Sequence, residues 1–132
     1  MQVILSVTAL TASILSTLAI SLAYRAAYIR KIESMGPGTD GGIKFTVANR
    51  AHANLLENMP IFIILLAIAE LGVSRNDFIA VVAFCFTVAR ISHAVGYTRA
   101  SGGASILRTL GNMVTWLCIL LLCFHNVVLV FA

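Results

Sequence analysis

Apolar residues fill four long stretches of this chain, and polar residues gather between them or at their ends. The stretches cover about residues 3–28, 46–71, 78–97 and 104–131. A helix that crosses a bilayer needs about 20 mostly apolar residues. Four such helices fit here with little chain left over, so the pattern predicts an all-α fold, a four-helix bundle integral to a membrane. The whole chain, 1–132, reads as one domain.

The punctuation between the stretches supports this division. Tyr24 and Tyr28 stand beside Arg25, Arg30 and Lys31, an interfacial belt that marks the end of the first span. That span is rich in Ala, Ser and Thr, small residues that let membrane helices approach closely. The connection Glu33–Lys44 contains Gly36-Pro37-Gly38 and Asp40-Gly41-Gly42, which end a helix and favour a flexible linker over a lid. Pro60 interrupts the second span; it lacks a backbone donor and crowds the carbonyl of Leu56, so a kink is expected there. Gly72–Asp77 is a tight turn, and Arg99–Gly103 is another. No internal repeat is convincing. The start, Met-Gln-Val-Ile-Leu, lacks a positive n-region, so the first stretch is expected to be a span rather than a cleaved signal.

Composition agrees with lipid as the solvent. The chain is 60% hydrophobic and 11% charged, with mean hydropathy +0.98. Soluble domains are about 45–50% apolar and about 25% charged, and no core of this size could hide so much apolar surface. The net charge of +4 does not point to nucleic acid, because the basic residues are scattered at span ends without a stripe or interleaved aromatics. Cys85, Cys118 and Cys123 all lie inside apolar spans without metal-ligand spacing; they read as inert thiols, and no metal is expected. Lys and Arg concentrate in the first loop and its flanks, the second loop has Arg75 balanced by Asp77, and the termini have no basic residue. The positive-inside rule then puts the first and third loops in the cytoplasm and both termini on the other side.

That topology brings separate polar clusters to one leaflet. Arg50, Asn54 and Glu57 share a helix face at i, i+4 and i+7. Arg90, His93 and Tyr97 do so at i, i+3 and i+7, and Arg108, Asn112 and Thr115 repeat the first spacing at the start of the fourth span. Arg25, Arg30, Lys31, Lys44 and Arg99 read as snorkelling end residues. Glu57 and Arg90 stand deeper, where a charge costs somewhat less than the about 2.5–3.5 kcal/mol of the bilayer centre. Both are therefore expected to face the bundle interior. Two readings remain open: a Glu57–Arg90 or Glu57–Arg50 pair that fixes packing, or a site for an anionic ligand in which Arg50, Arg90 and Arg108 outnumber Glu57. His52 lies off the stripe, and His93 could simply bridge helices. His125 belongs to the opposite leaflet, Trp116 and the phenylalanines read as packing or lipid-facing, and Glu70 and Asp77 read as solvated.

The segment Arg50-Ala-His-Ala-Asn54-Leu-Leu-Glu57-Asn-Met-Pro60 resembles the second-helix signature of the MAPEG family, the membrane-associated proteins in eicosanoid and glutathione metabolism. Ala89-Arg90-Ile-Ser-His93-Ala-Val-Gly-Tyr97 is similar to the family's third-helix segment. The likeness covers nearly the whole chain, and its nearest subgroup is the bacterial members similar to microsomal glutathione transferases. It implies a homotrimer in a bacterial inner membrane, with glutathione as co-substrate bound between subunits near the cytoplasmic side. Carried over by motif position, Arg50, Asn54, Glu57, Arg90, His93 and Tyr97 would line the glutathione pocket. Glu57 would hold its ammonium group and the arginines its carboxylates. Arg25 or Arg30 matches the family's first-helix arginine, and Arg25 is included in the binding set. The family's thiolate-stabilising arginine early in the fourth helix corresponds to Arg108, with Tyr97 or Thr109 able to donate a hydrogen bond to sulfur. Ala53 stands where several members have another basic residue, and the Tyr97–Arg108 spacing is slightly longer than the family's.

The implied activity is a membrane glutathione transferase or peroxidase acting on hydrophobic molecules that arrive through the lipid. Two rivals are a glutathione- or lipid-binding membrane protein without turnover, and a small four-span transporter. The transporter reading is disfavoured because Val3–Tyr24 contains no acidic residue.

Overall fold

The structure, a computed structural model, describes residues 5–34, 36, 42–72 and 77–131. It contains four helices: α1 (Ser6–Ile32), α2 (Ile43–Gly72), α3 (Asp77–Arg99) and α4 (Ile106–Phe131). Each is long and apolar enough to cross a membrane. At 1.5 Å per residue, even the 23 residues of α3 reach about 35 Å, more than the about 30 Å hydrocarbon thickness. The Gly36–Gly42 part of the first loop and the Arg75 turn lie, apart from Gly36 and Gly42 themselves, outside the described residues.

Helix ends differ from the apolar limits for identifiable reasons. α1 continues past Tyr28 to Ile32, with Arg30 and Lys31 in its last turn where cations suit the helix dipole. α2 begins at Ile43 and runs on through Pro60, so the proline does not divide it. The Asn58 amide donates back to the Asn54 carbonyl at 2.9 Å within this region.

α1 pairs with α2 and α3 with α4, while α2 also touches α3 and α4 and α3 also touches α1. Among the described residues α1 and α4 do not meet. The helices therefore stand in the ring order α1–α2–α4–α3, and α2 and α3 meet across its short diagonal. Phe62 of α2 and Phe86 of α3 fill that diagonal with rings stacked 3.6 Å apart, both fully buried. Leu15, Leu55, Leu66, Ile79 and Leu122 complete the core around them.

The α3–α4 seam is closed by glycine. A β-carbon at Gly96 would stand 2.6 Å from the Arg108 nitrogen, and one at Gly111 would stand 2.7 Å from the Ala89 carbonyl oxygen. Neither position has room for a side chain. The turn that joins the two helices is a Schellman motif. Gly102 N–H donates to Tyr97 O at 3.0 Å and Ser101 N–H to Thr98 O at 3.2 Å, with Ser101 at φ 48°.

The hydroxyls of α1 do not all serve helix contact. Ser13, Thr17 and Ser21 are exposed, and each donates to the carbonyl four residues back at 2.8–2.9 Å. In lipid this satisfies them without a partner helix.

Glu70 departs from its expected solvated role. It is half-buried, and its two carboxylate oxygens accept the Val7 and Thr8 backbone N–H groups at 2.8 Å each. α1 has no capping side chain of its own, since Leu5 occupies the N-cap. The acid that caps α1 thus comes from the far end of α2, and it pins the hairpin shut. Replacing Glu70 with Ala is expected to cost about 1–2 kcal/mol of stability. The unfolding midpoint of the purified protein in detergent measures this, and an unchanged midpoint would refute the cap.

Candidate functional site

One end of the bundle carries the N-terminal part of α2, the C-terminal part of α3 and the start of α4. Here a cleft of about 230 Å³ is lined by Arg50, Ala53, Asn54 and Glu57 from α2, His93 and Tyr97 from α3, and Arg108 and Asn112 from α4. The stripes on three helices thus meet in one cavity. Each keeps to one face because its residues recur at three- or four-residue steps.

Arg108 is fixed from two sides. Its Nη1 donates to the carbonyls of Gly102 and Gly103 at 2.8 and 3.0 Å. Its guanidinium carbon lies 4.6 Å above the Tyr97 ring, a cation–π contact. The Tyr97 ring in turn stacks on His93 at 5.9 Å between centroids. A β-carbon at Gly102 would crowd Val47 at 3.2 Å, and its φ of 84° already favours glycine. The turn therefore presses Arg108 onto Tyr97, and the remaining guanidinium nitrogens are left for the cleft.

Arg90 occupies a different place from the rest of its stripe. It does not line the cleft but lies behind the wall, 1% exposed. Its Nη2 donates to Asn54 Oδ1 at 2.6 Å and its Nη1 to Thr115 Oγ1 at 3.2 Å. Thr115 Oγ1 in turn donates a hydrogen bond to the Gly111 carbonyl at 2.7 Å. Arg90 Nε is buried without a partner. Neither of the expected ion pairs with Glu57 forms among the described residues; Glu57 is exposed and acts on Arg90 only through its field. The buried cation is satisfied by neutral oxygens, and the Glu57 carboxylate stays available to the cleft.

Arg25 is also outside the lining. Its Nη1 donates to Thr98 Oγ1 at 2.7 Å and so ties α1 to the last turn of α3. His52 is half-buried and does not line the cleft, as its off-stripe position implied. At the opposite end, His125 is half-buried with its ring 5.3 Å from that of Phe78. The thiols Cys85, Cys118 and Cys123 are unpaired, and no cluster of potential metal ligands occurs among the described residues.

Two members of the Arg108 stripe were given no role in the site from the sequence. Asn112 lines the cleft, and Thr115 holds Arg90; both were visible as i+4 and i+7 partners of Arg108. Ala53 also lines the cleft, and its small side chain leaves room where an arginine would fill it.

The electrostatics follow from this inventory. Arg50 and Arg108 set two cations in the lining against the single acid Glu57. Such a cleft suits a ligand with more negative than positive charge, whose carboxylates meet guanidinium groups and whose ammonium meets a carboxylate.

The Thr115–Arg90 bond is a direct test of the wall. Thr115→Val keeps the shape but leaves a buried charged donor unpaired, which is expected to cost about 1–3 kcal/mol. Thr87→Val, which removes only a hydroxyl bonded to its own helix at Ala83, serves as the control and is expected to cost less. Equal midpoints of unfolding for the two variants would contradict a structural role for the Arg90 bridge.

Comparison with known proteins adds one finding. The model of the MAPEG family matches residues 5–128, nearly the full length. No curated protein matches the chain. With four helices long and apolar enough to cross a membrane and a match of this extent, the chain is an integral membrane protein and belongs to the MAPEG family, the membrane-associated proteins in eicosanoid and glutathione metabolism.

Proposed function

We propose that the protein is a membrane glutathione transferase, with peroxidase activity toward lipid hydroperoxides, that makes the thiolate of glutathione beside Arg108. The observation that carries this reading is the charge pattern of the cleft: Arg50 and Arg108 face a lone Glu57 in one lining. Glutathione has two carboxylates and one ammonium, the complementary set. Its thiol, with a pKa of about 8.5 if it behaves like cysteine, ionises more readily beside a cation. The thiolate sulfur then attacks an electrophilic carbon, and the leaving group departs with the electron pair. With a hydroperoxide, two glutathiones give the disulfide, an alcohol and water. Tyr97, in the lining, donates a hydrogen bond to the sulfur, whereas Thr109 is exposed and stands outside the lining.

We assign the hydrophobic substrate to the lipid phase, the assembly to a homotrimer and the location to a bacterial inner membrane with the first and third loops cytoplasmic. Family membership and the loop charges support these assignments. Arg25 and Arg90 enter the scheme indirectly, the first by anchoring α1 on Thr98 and the second by holding Asn54.

One observation favours a second reading, binding without turnover. Arg108 is already bonded to two carbonyls and stacked on Tyr97, so its charge is partly engaged. Activity of the Arg108→Ala protein separates the two. If Arg108 stabilises the thiolate, conjugation of glutathione to a panel of electrophiles, measured at saturating glutathione, falls about 10²-fold or more. No turnover by the parent protein across the panel, with glutathione still bound, would favour the binding reading.

A further inference from the structure

Asn112 stands one turn beyond Arg108 on α4. The antiparallel register of α3 and α4 is set by contacts along the seam: Gly96 against Leu107 and Arg108, Gly111 against Ala89 and His93, and Phe78 against His125. In that register Asn112 is level with His93, deeper in the cleft than the Arg108–Tyr97 pair. Both residues line the cavity. Each also carries a buried polar atom with no hydrogen-bond partner, Asn112 Oδ1 and His93 Nδ1. His93 is 3% exposed, so solvent does not reach its ring freely.

Unpaired buried acceptors are uncommon in folded proteins and call for a reason. The other acceptors of the lining have theirs. Asn54 Oδ1 already receives Arg90, and Glu57 is exposed and faces an ammonium in the proposed function. Asn112 Oδ1 has no donor from the protein and lies in the lining, so it is open to a donor from whatever fills the cleft. With Oδ1 turned to the cleft, a carboxylate or a thiolate, which offers only lone pairs, is repelled by it. A neutral N–H fits: it pairs with the carboxamide without placing a further charge in the inner end of the cavity.

We infer that Asn112 is a ligand-recognition residue, whose Oδ1 accepts a peptide N–H of the bound molecule at the inner end of the cleft. This rests on the reading of the cleft as a glutathione site and adds to it a selectivity for peptide thiols. A short thiol acid without an amide would leave Asn112 unpaired and bind less well, even if its carboxylate met Arg50 or Arg108. His93 Nδ1, at the same level, offers the ligand a second polar contact.

The test titrates glutathione into the full-length protein and into Asn112→Ala and Asn112→Leu, the latter preserving volume if the smaller variant folds poorly. Two glutathione analogues, each with one peptide N–H replaced by an ester oxygen, are titrated alongside. One analogue is expected to bind the parent about five- to tenfold more weakly than glutathione. For that analogue alone, the Asn112 substitutions should cause no further loss, whereas they weaken glutathione by a similar factor. Unchanged glutathione affinity in both variants overturns the inference, as does an equal loss for glutathione and both analogues. A parent protein that binds no glutathione overturns the underlying reading and this inference with it, so the two failures are told apart.

Discussion

A guanidinium inside a membrane bundle must find oxygen atoms, and Arg90 finds them on two other helices. It reaches from α3 to Asn54 on α2 and to Thr115 on α4, and so joins the three elements that build the cleft. The fork of the guanidinium matters, since a single-point cation could not hold two partners at once. A buried charge is costly even when bonded, so its neighbours are tightly constrained. Asn54, itself a lining residue, is turned so that its oxygen accepts from Arg90. Burial of one cation behind the wall thus sets the chemistry of the wall itself.

The same end of the bundle depends on close helix approach. Glycine at 96 and 111 lets α3 and α4 touch through their backbones, and the Schellman turn between them delivers Arg108 over Tyr97. At the other end the bundle is closed by different means. Glu70 caps α1 from the end of α2, and the Asn126 side chain donates to the Leu65 carbonyl at 3.0 Å. One end is therefore a cavity with cations on its surface, and the other a set of bonds that hold helices together. Buried polar atoms without a protein partner occur at both ends: Asn112 Oδ1 and His93 Nδ1 at the cleft, and Thr8 Oγ1, His125 Nε2 and Asn126 Oδ1 at the other.

Much of this was legible in the sequence because lipid imposes simple rules. Four apolar stretches gave four helices, and the i, i+4, i+7 spacing of Arg50, Asn54 and Glu57 put them on one face. The loop pattern brought Arg90–Tyr97 and Arg108 to the same end. What could not be read was the pairing of individual side chains. Charge alone left open a pair of Glu57 with Arg90 or Arg50 beside an anionic-ligand site, whereas the geometry of three helices gives Arg90 to Asn54 and Thr115. Nor did any local signal assign Glu70 to α1, because its partners lie more than sixty residues away. Arg25 illustrates the same limit: its position at a span end predicted snorkelling, whereas Thr98 on a neighbouring helix captures it.

In the proposed function the cationic cleft ionises a glutathione thiol. Ultraviolet difference absorbance of a thiolate, recorded on rapid mixing of the purified protein with glutathione near neutral pH, tests it most directly. A thiolate band that grows with glutathione and saturates with site occupancy is the expected result. Saturable binding of glutathione with no thiolate band would contradict it.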